Sequence, residues 1–116
     1  MSSSQDSEIV NLLKNSGAII MGKTTTAELA YIHPCKTKNP HDYSRTPGGS
    51  SSGSAAVIAS HMAHLSIGSQ TGGSIIRPAS YCGVVGYKPS YGLISRNGVL
   101  RTSYALDHIG MFGRNV

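Results

Sequence analysis

Two short runs of glycine and serine constrain this chain more than any other feature. The first reads P-G-G-S-S-S-G-S at 47–54, and the second reads T-G-G-S at 71–74. Glycine adopts positive φ angles and lets a backbone approach a ligand closely, so both runs predict tight turns. Ser50 and Ser74 lie 24 positions apart, and the apolar segment between them predicts a helix and then a strand. Such a unit can bring both turns to one place, whereas a flexible linker would contain nothing foldable.

Short helices and short strands alternate along the rest of the chain. Helices are predicted over 6–16, 24–30 and 52–62, with one helical turn over 75–81 that Pro78 breaks early. Strands are predicted at 18–21, 65–68, 84–87 and 93–95, a long loop at 31–46, and an ordered segment at 106–111. The alternation predicts an α/β fold with a mixed, mostly parallel sheet flanked by helices. We expect a disordered N-terminus at 1–5 and a single domain at 6–116.

Composition excludes several classes of partner. The net charge is +5, but the basic residues are scattered and aromatic residues are only 6%, which argues against a nucleic-acid surface. Cys35, Cys82 and the five histidines show no metal-ligand spacing. No apolar run approaches the length of a membrane span, and the N-terminus lacks the regions of a signal peptide. We therefore predict a cytoplasmic chain with no cofactor, metal, nucleic acid or membrane partner.

Two other functional patterns can be weighed against these residues. The segment 17–24, G-A-I-I-M-G-K-T, fits the phosphate-loop pattern literally. A phosphate loop follows a strand, however, whereas a helix is predicted before Gly17, so we interpret 18–21 as a buried strand. A Ser-His-Asp triad could use Ser74, a histidine and Asp107, but the GxSxG pattern is absent around Ser74.

The two turns, together with the residues that follow each of them, resemble the amidase signature family. The matching segments are GGSSSGSAA from Gly48 and TGGSIIRPA from Thr71. The likeness extends to GKTTTAELA at 22–30, YCGVVGYKP at 81–89 and ALDHIG at 105–110, so it covers nearly the whole chain. Members of that family are several times longer, and the resemblance therefore implies a partial amidase-signature fold.

The resemblance also implies a chemistry. Family members hydrolyse carbon–nitrogen bonds of non-peptide amides with a Ser–cis-Ser–Lys triad. Ser74 matches the nucleophile, and Ser50 matches the bridging serine, which follows a cis peptide bond after Gly49. The resemblance places Gly48 and Gly49 against a small-molecule amide substrate. It assigns the oxyanion hole to backbone N–H groups of Thr71, Gly72, Gly73 and Ser74.

The third member of the family triad is a lysine that acts as the general base. It lies several tens of residues before the first serine, so we expect these 116 residues to lack it. Lys23 and Lys88 match other positions of the family pattern, and Arg77 lies one position later than the arginine of many members. We expect the isolated chain to be inactive, because a serine without a base is a weak nucleophile.

Three functions stay open on the sequence alone. The chain can supply both serines of an amidase, or belong to the A subunit of a tRNA-dependent amidotransferase, which makes ammonia from glutamine in the related family. It can also be a non-catalytic truncated protein or pseudoenzyme. Charged residues are only 13%, which is low for a self-contained soluble domain. We therefore expect self-association, or association with further segments of a parent chain.

Overall fold

A computed structural model describes residues 5–27 and 35–116. Within these residues the chain forms helices and one small sheet, which confirms the predicted α/β class. The division between 1–5 and 6–116 stays a prediction. The elements, in chain order, are α1 (Glu8–Asn15), α2 (Ser52–Ala59), β1 (Leu65–Gln70), α3 (Ile76–Cys82), β2 (Val85–Tyr87) and β3 (His108–Gly113).

The described sheet has the strand order β1–β3–β2, and both of its pairings are antiparallel. The prediction of mostly parallel pairing is therefore wrong for these strands. It rested on the alternation of short helices and strands along the chain, which is typical of folds with a parallel sheet. Here β1 and β2 both pair with β3, which follows them in the chain, and both pairings are antiparallel. Gly68, Gly86 and Gly110 stand where neighbouring segments approach too closely for a side chain.

Residues 18–21, predicted as a buried strand, are neither paired nor buried within the described part of the chain. Ile19 is 88% exposed and Met21 is 79% exposed. The prediction was wrong because apolar character alone does not provide a partner strand, and no described segment covers these side chains. The strand predicted at 93–95 is also wrong. That segment belongs to a turn-rich loop, and Leu93 is 69% exposed.

The predicted helix over 24–30 is wrong for its described residues, 24–27, which are not helical. Their backbone groups bond to the first turn instead of to one another. The Gly53 N–H donates to the Thr25 carbonyl at 2.9 Å, and the Ala27 N–H donates to the Ser50 carbonyl at 2.9 Å. Residues 28–34 lie outside the described residues. From residue 35 onward the predicted loop is confirmed, apart from an isolated bridge between residues 39 and 42.

Helices α2 and α3 pack with the sheet around a small core. Its fully buried members are Ala55, Ile58, Ile75, Cys82 and Phe112, each 0% exposed. Helix α2 ends three residues earlier than predicted, because His61 has a φ of 58° and cannot continue a right-handed helix.

Helix α3 is longer than the single turn predicted, because Pro78 does not break it. Pro78 is its third residue, where a backbone N–H has no acceptor within the helix, so the missing donor costs nothing there. The helix therefore continues to Cys82 and ends at Gly83, whose φ of 65° suits glycine.

Strand β1 lies directly against the beginning of α2. A Cβ atom at Gly68 would lie 2.6 Å from Ser51 Oγ and 2.7 Å from the ring of Phe112. Such distances leave no room for a methyl group, so glycine is required for this approach. The hydroxyl of Ser54 also donates to the carbonyl of Ile67 at 2.7 Å. These contacts fix the first turn against the strand that leads to the second turn.

Candidate active site

The two glycine–serine turns lie side by side at the beginning of α2. The N–H of Ser51 donates to the carbonyl of Ser74 at 3.3 Å, which joins one turn directly to the other. The first turn leads into α2, and the second turn follows β1. The helix and strand predicted between Ser50 and Ser74 therefore bring the two turns together, as the spacing predicts. The catalytic roles of the two serines stay predictions.

Ser50 lies in the middle of the first turn. The Gly49–Ser50 peptide bond is cis, which confirms that prediction. Ser50 is only 3% exposed, and its carbonyl accepts the bond from Ala27 described above. The hydroxyl of Thr24 lies 2.8 Å from that of Ser54, so residues 24–27 pack along this turn and bond to it.

A cavity of about 420 Å³ opens beside the first turn. Gly48 and Gly49, the predicted substrate contacts, are among its lining residues, whereas Ser50 and Ser74 are not. Gly48 has a φ of 79°, and a Cβ there would lie 2.9 Å from Cα of Pro78, so only glycine fits. The positive side chains that line the cavity are Lys38, Arg45 and Arg77.

Gln70, which the sequence patterns did not single out, lies at the end of β1 and bonds to the residues that follow the second turn. Its side-chain oxygen accepts hydrogen bonds from the N–H of Ile75 at 2.8 Å and of Ile76 at 3.1 Å. These are donors at the start of α3 that have no acceptor within the helix. The signal in the sequence was a polar residue just before T-G-G-S, at the end of an apolar segment. Gln70 thus anchors the residues that follow Ser74.

Arg77 bridges the two turns. Its guanidinium donates to the carbonyl of Gly49 at 3.2 Å and to the carbonyl of Gly72 at 3.1 Å. One carbonyl directly precedes Ser50, and the other lies two residues before Ser74. The sequence showed only that this arginine was displaced by one position from that of many family members. A planar guanidinium with several donors can hold two carbonyls at once, which a lysine ammonium does less well.

Asp107 contacts Thr71, the first residue of the second turn, and it is 7% exposed. Its carboxylate accepts bonds from the hydroxyls of Thr71 at 2.5 Å and Thr102 at 2.9 Å. It also accepts from the N–H groups of Thr102 at 2.7 Å and Ser103 at 2.8 Å. Burial raises the pKa of this carboxyl, but the four hydrogen bonds outweigh burial and lower the pKa from 3.8 to about 2.

The arrangement does not favour the Ser-His-Asp alternative. The carboxylate of Asp107 is occupied by the donors just described, and the ring of neighbouring His108 bonds to the carbonyl of Leu106 at 2.7 Å. Two of the described lysines bond to groups other than the serines. Lys88 Nζ donates to the carbonyl of Pro89 at 2.8 Å, and Lys14 Nζ pairs with Asp6 at 2.5 Å.

Residues 5–27 and 35–116 contain no cluster of three or more histidine, cysteine, aspartate or glutamate side chains that could hold a metal ion. Among the helices of that same part of the chain, none is long and apolar enough to cross a membrane.

Comparison with known proteins gives a consistent result. The family model described as Amidase matches residues 1–116. The chain is 50% identical over 117 residues to the A subunit of the glutamyl-tRNA(Gln) amidotransferase of Sulfurihydrogenibium sp. (strain YO3AOP1), and the match covers 96% of this chain and 24% of that relative. The chain thus spans about a quarter of the length of the curated relatives it matches.

Two solved structures have similar backbones. The A subunit of the glutamyl-tRNA(Gln) amidotransferase of Thermotoga maritima matches with a TM-score of 0.90 and 44% identity, over 96% of this chain and 26% of that one. The native peptide amidase of Stenotrophomonas maltophilia matches with a TM-score of 0.90 and 39% identity, over 94% of this chain and 25% of that one.

Proposed function

The chain belongs to the amidase family, and from this premise we propose that it supplies two of three catalytic residues for hydrolysis of a small-molecule amide. In this proposal Ser74 is the nucleophile, and Ser50 is the serine that connects it to the general base. The proposal rests chiefly on the bond between the Ser51 N–H and the Ser74 carbonyl, because it joins the two turns. A cytoplasmic location is part of the proposal and rests on the sequence alone.

The proposed reaction begins when Ser74 Oγ attacks the carbonyl carbon of the amide. Its proton passes to the Ser50 hydroxyl, and the proton of that hydroxyl passes to the base. Backbone N–H groups at 71–74 donate to the oxyanion of the tetrahedral intermediate, and glycines at 72 and 73 leave room for it. Ammonia or an amine then leaves with a proton, and water releases the acyl group from Ser74.

We infer that the base is a lysine outside these 116 residues. Lys23 and Lys88 match other positions of the family pattern, and Lys88 bonds to the carbonyl of Pro89. The purified 116-residue chain should therefore release no ammonia from simple amides above background. Release that disappears in Ser74→Ala would contradict the inference about the base.

A chimera tests the proposed role of the serines. This chain would replace the matching segment of the Stenotrophomonas maltophilia peptide amidase, and ammonia release from a peptide amide would be measured. We expect activity that Ser74→Ala abolishes and Ser50→Ala lowers by about 100-fold or more, the scale of losses for activating groups of a nucleophile.

Ser80→Ala is the matched control, since Ser80 is an exposed serine on α3 outside both turns. It should retain the activity of the unmodified chimera. A folded chimera in which Ser74→Ala retains full activity would overturn the assignment of the nucleophile. A folded chimera without any activity would favour the non-catalytic alternative.

A second candidate function is that of an amidotransferase component that releases ammonia from glutamine. The observation that favours it is the higher identity to the Sulfurihydrogenibium relative, 50%, than to the peptide amidase, 39%. A parallel chimera in the matching Thermotoga maritima protein would be assayed for ammonia release from glutamine. Activity in that chimera and none in the peptide amidase host would support the amidotransferase function over the simple amidase.

A further inference from the structure

We propose that Asp107 is a positioning residue that fixes the oxyanion-binding turn through the hydroxyl of Thr71. This inference rests on the proposed function, because that function gives the turn its catalytic role. Asp107 itself touches no reacting atom in the proposed mechanism.

The sheet register explains why these two residues meet. Strands β1 and β3 are antiparallel, and their final pair is Gln70 opposite His108. The next residue on each strand is Thr71 on one side and Asp107 on the other, so the ladder places them across from each other. The Thr71 hydroxyl then donates to Asp107 Oδ1 at 2.5 Å. The contact thus continues the sheet by a side-chain bond where the backbone pairing ends.

The carboxylate is a fixed acceptor for this hydroxyl. Its Oδ2 atom accepts from the N–H groups of Thr102 and Ser103, at 2.7 and 2.8 Å. Its Oδ1 atom accepts from the Thr102 hydroxyl at 2.9 Å as well as from Thr71. With Asp107 only 7% exposed, the loop at 102–103 holds the carboxylate in one orientation. Charged acceptors also make stronger hydrogen bonds than neutral ones.

The second turn needs such an anchor on this side. Gly72 and Gly73 have no side chains that could hold the backbone, and Gly73 has a φ of 110° that glycine adopts freely. The contacts already described act on residues that follow Thr71: Arg77 donates to the Gly72 carbonyl, and Gln70 accepts from the start of α3. Thr71 is the residue where the turn leaves β1. Oxyanion donors act well only when they are held in place before the reaction.

The chimera with the peptide amidase provides the test. We expect Asp107→Asn and Thr71→Val each to lower kcat by about 10-fold or more, with KM changed by less than about threefold, because the turn binds the transition state more than the substrate. Thr71→Ser keeps the hydroxyl and should lose much less kcat than Thr71→Val does. The double variant Asp107→Asn with Thr71→Val should lose about as much as the worse single variant, because both remove the same contact.

The outcomes separate this inference from the proposed function. If Ser74→Ala abolishes activity while Thr71→Val keeps kcat, the inference alone is wrong. Equal losses in Thr71→Ser and Thr71→Val would also overturn it, because the hydroxyl would then not be the cause. If Ser74→Ala retains activity, the proposed function fails, and the anchoring of the turn is judged in the 116-residue chain.

That second measurement needs no activity. The backbone amide NMR shifts of residues 72–74 would be compared in the unmodified chain, Asp107→Asn, Thr71→Val and Thr71→Ser. We expect Asp107→Asn to move these shifts, and Thr71→Val to move those of residues 73 and 74 more than Thr71→Ser does. Shifts in Asp107→Asn that are confined to 101–108 would mean that the carboxylate holds only its own loop, and would overturn the proposal.

Discussion

The carboxylate of Asp107 should make a measurable contribution to the stability of this chain that is lost in acid. Its pKa is lowered from 3.8 to about 2 in the folded chain, so the unfolded chain binds the proton more tightly. The stabilisation is therefore fully present above about pH 5 and is lost as the pH falls from about 4 to about 2. Each unit by which a pKa is lowered corresponds to about 1.4 kcal/mol, so the change from 3.8 to about 2 sets an upper limit of about 2.5 kcal/mol on this stabilisation. Partial access of solvent to the surrounding loop reduces this to about 1–2 kcal/mol.

Urea unfolding of the 116-residue chain and of Asp107→Asn, at several values between pH 6 and pH 2, would measure this effect. At pH 6 the variant should be less stable by about 1–2 kcal/mol, and the two free energies of unfolding should converge toward pH 2. Asp6→Asn makes the same chemical change at an exposed ion pair, 2.5 Å from Lys14 Nζ, and should cost less than about 1 kcal/mol. A difference between Asp107→Asn and the unmodified chain that stays constant with pH would refute the reasoning.

Three further predictions concern packing, the bridge between the turns, and association. Gly68→Ala should lower the free energy of unfolding by about 1–3 kcal/mol through overpacking against Ser51 and Phe112. Gly22→Ala, where a new Cβ has nothing within 4 Å, should change it by less than about 0.5 kcal/mol. In the peptide amidase chimera, Arg77→Lys should lower kcat by about 10-fold, because an ammonium cannot hold both carbonyls as the guanidinium does, and steady-state kinetics with unchanged kcat would contradict the bridging role. Sedimentation should show that the 116-residue chain associates. Ile19→Ser should reduce association more than Leu93→Ser, because Ile19 is the more exposed of the two and lies beside exposed Ile20 and Met21. A clean monomer before substitution would contradict the prediction.

The sequence predicted those features that depend on neighbouring residues. Helix α1, helix α2 and strand β1 were expected from periodicity and from the glycine–serine turns, and each overlaps most of its predicted range. The cis bond before Ser50 was expected from the family resemblance, and it is present. The convergence of the two turns followed from the helix and strand between them.

The predictions that were wrong concern features that depend on residues far away in the chain. The direction of the sheet is set by β3, whose pairing with β1 has no local signal. The exposed segment at 18–21 has the composition of a buried strand, and composition does not reveal whether a partner exists. Arg77 and Asp107 were both noted in the sequence. Their contacts could not be predicted, because they depend on which carbonyls and hydroxyls the fold brings to them.

The order of strands in the sheet also affects how the site forms during synthesis. β3 is central in the sheet, yet it comes after β1 and β2 in the chain. It pairs with β1 across 38 positions at Gln70 and His108 and across 48 at Leu65 and Gly113. Pairings between such distant residues form slowly, because the loop between them must close first. Both serines are translated before Asp107, so on the ribosome the second turn lacks its anchor on the sheet until β3 emerges.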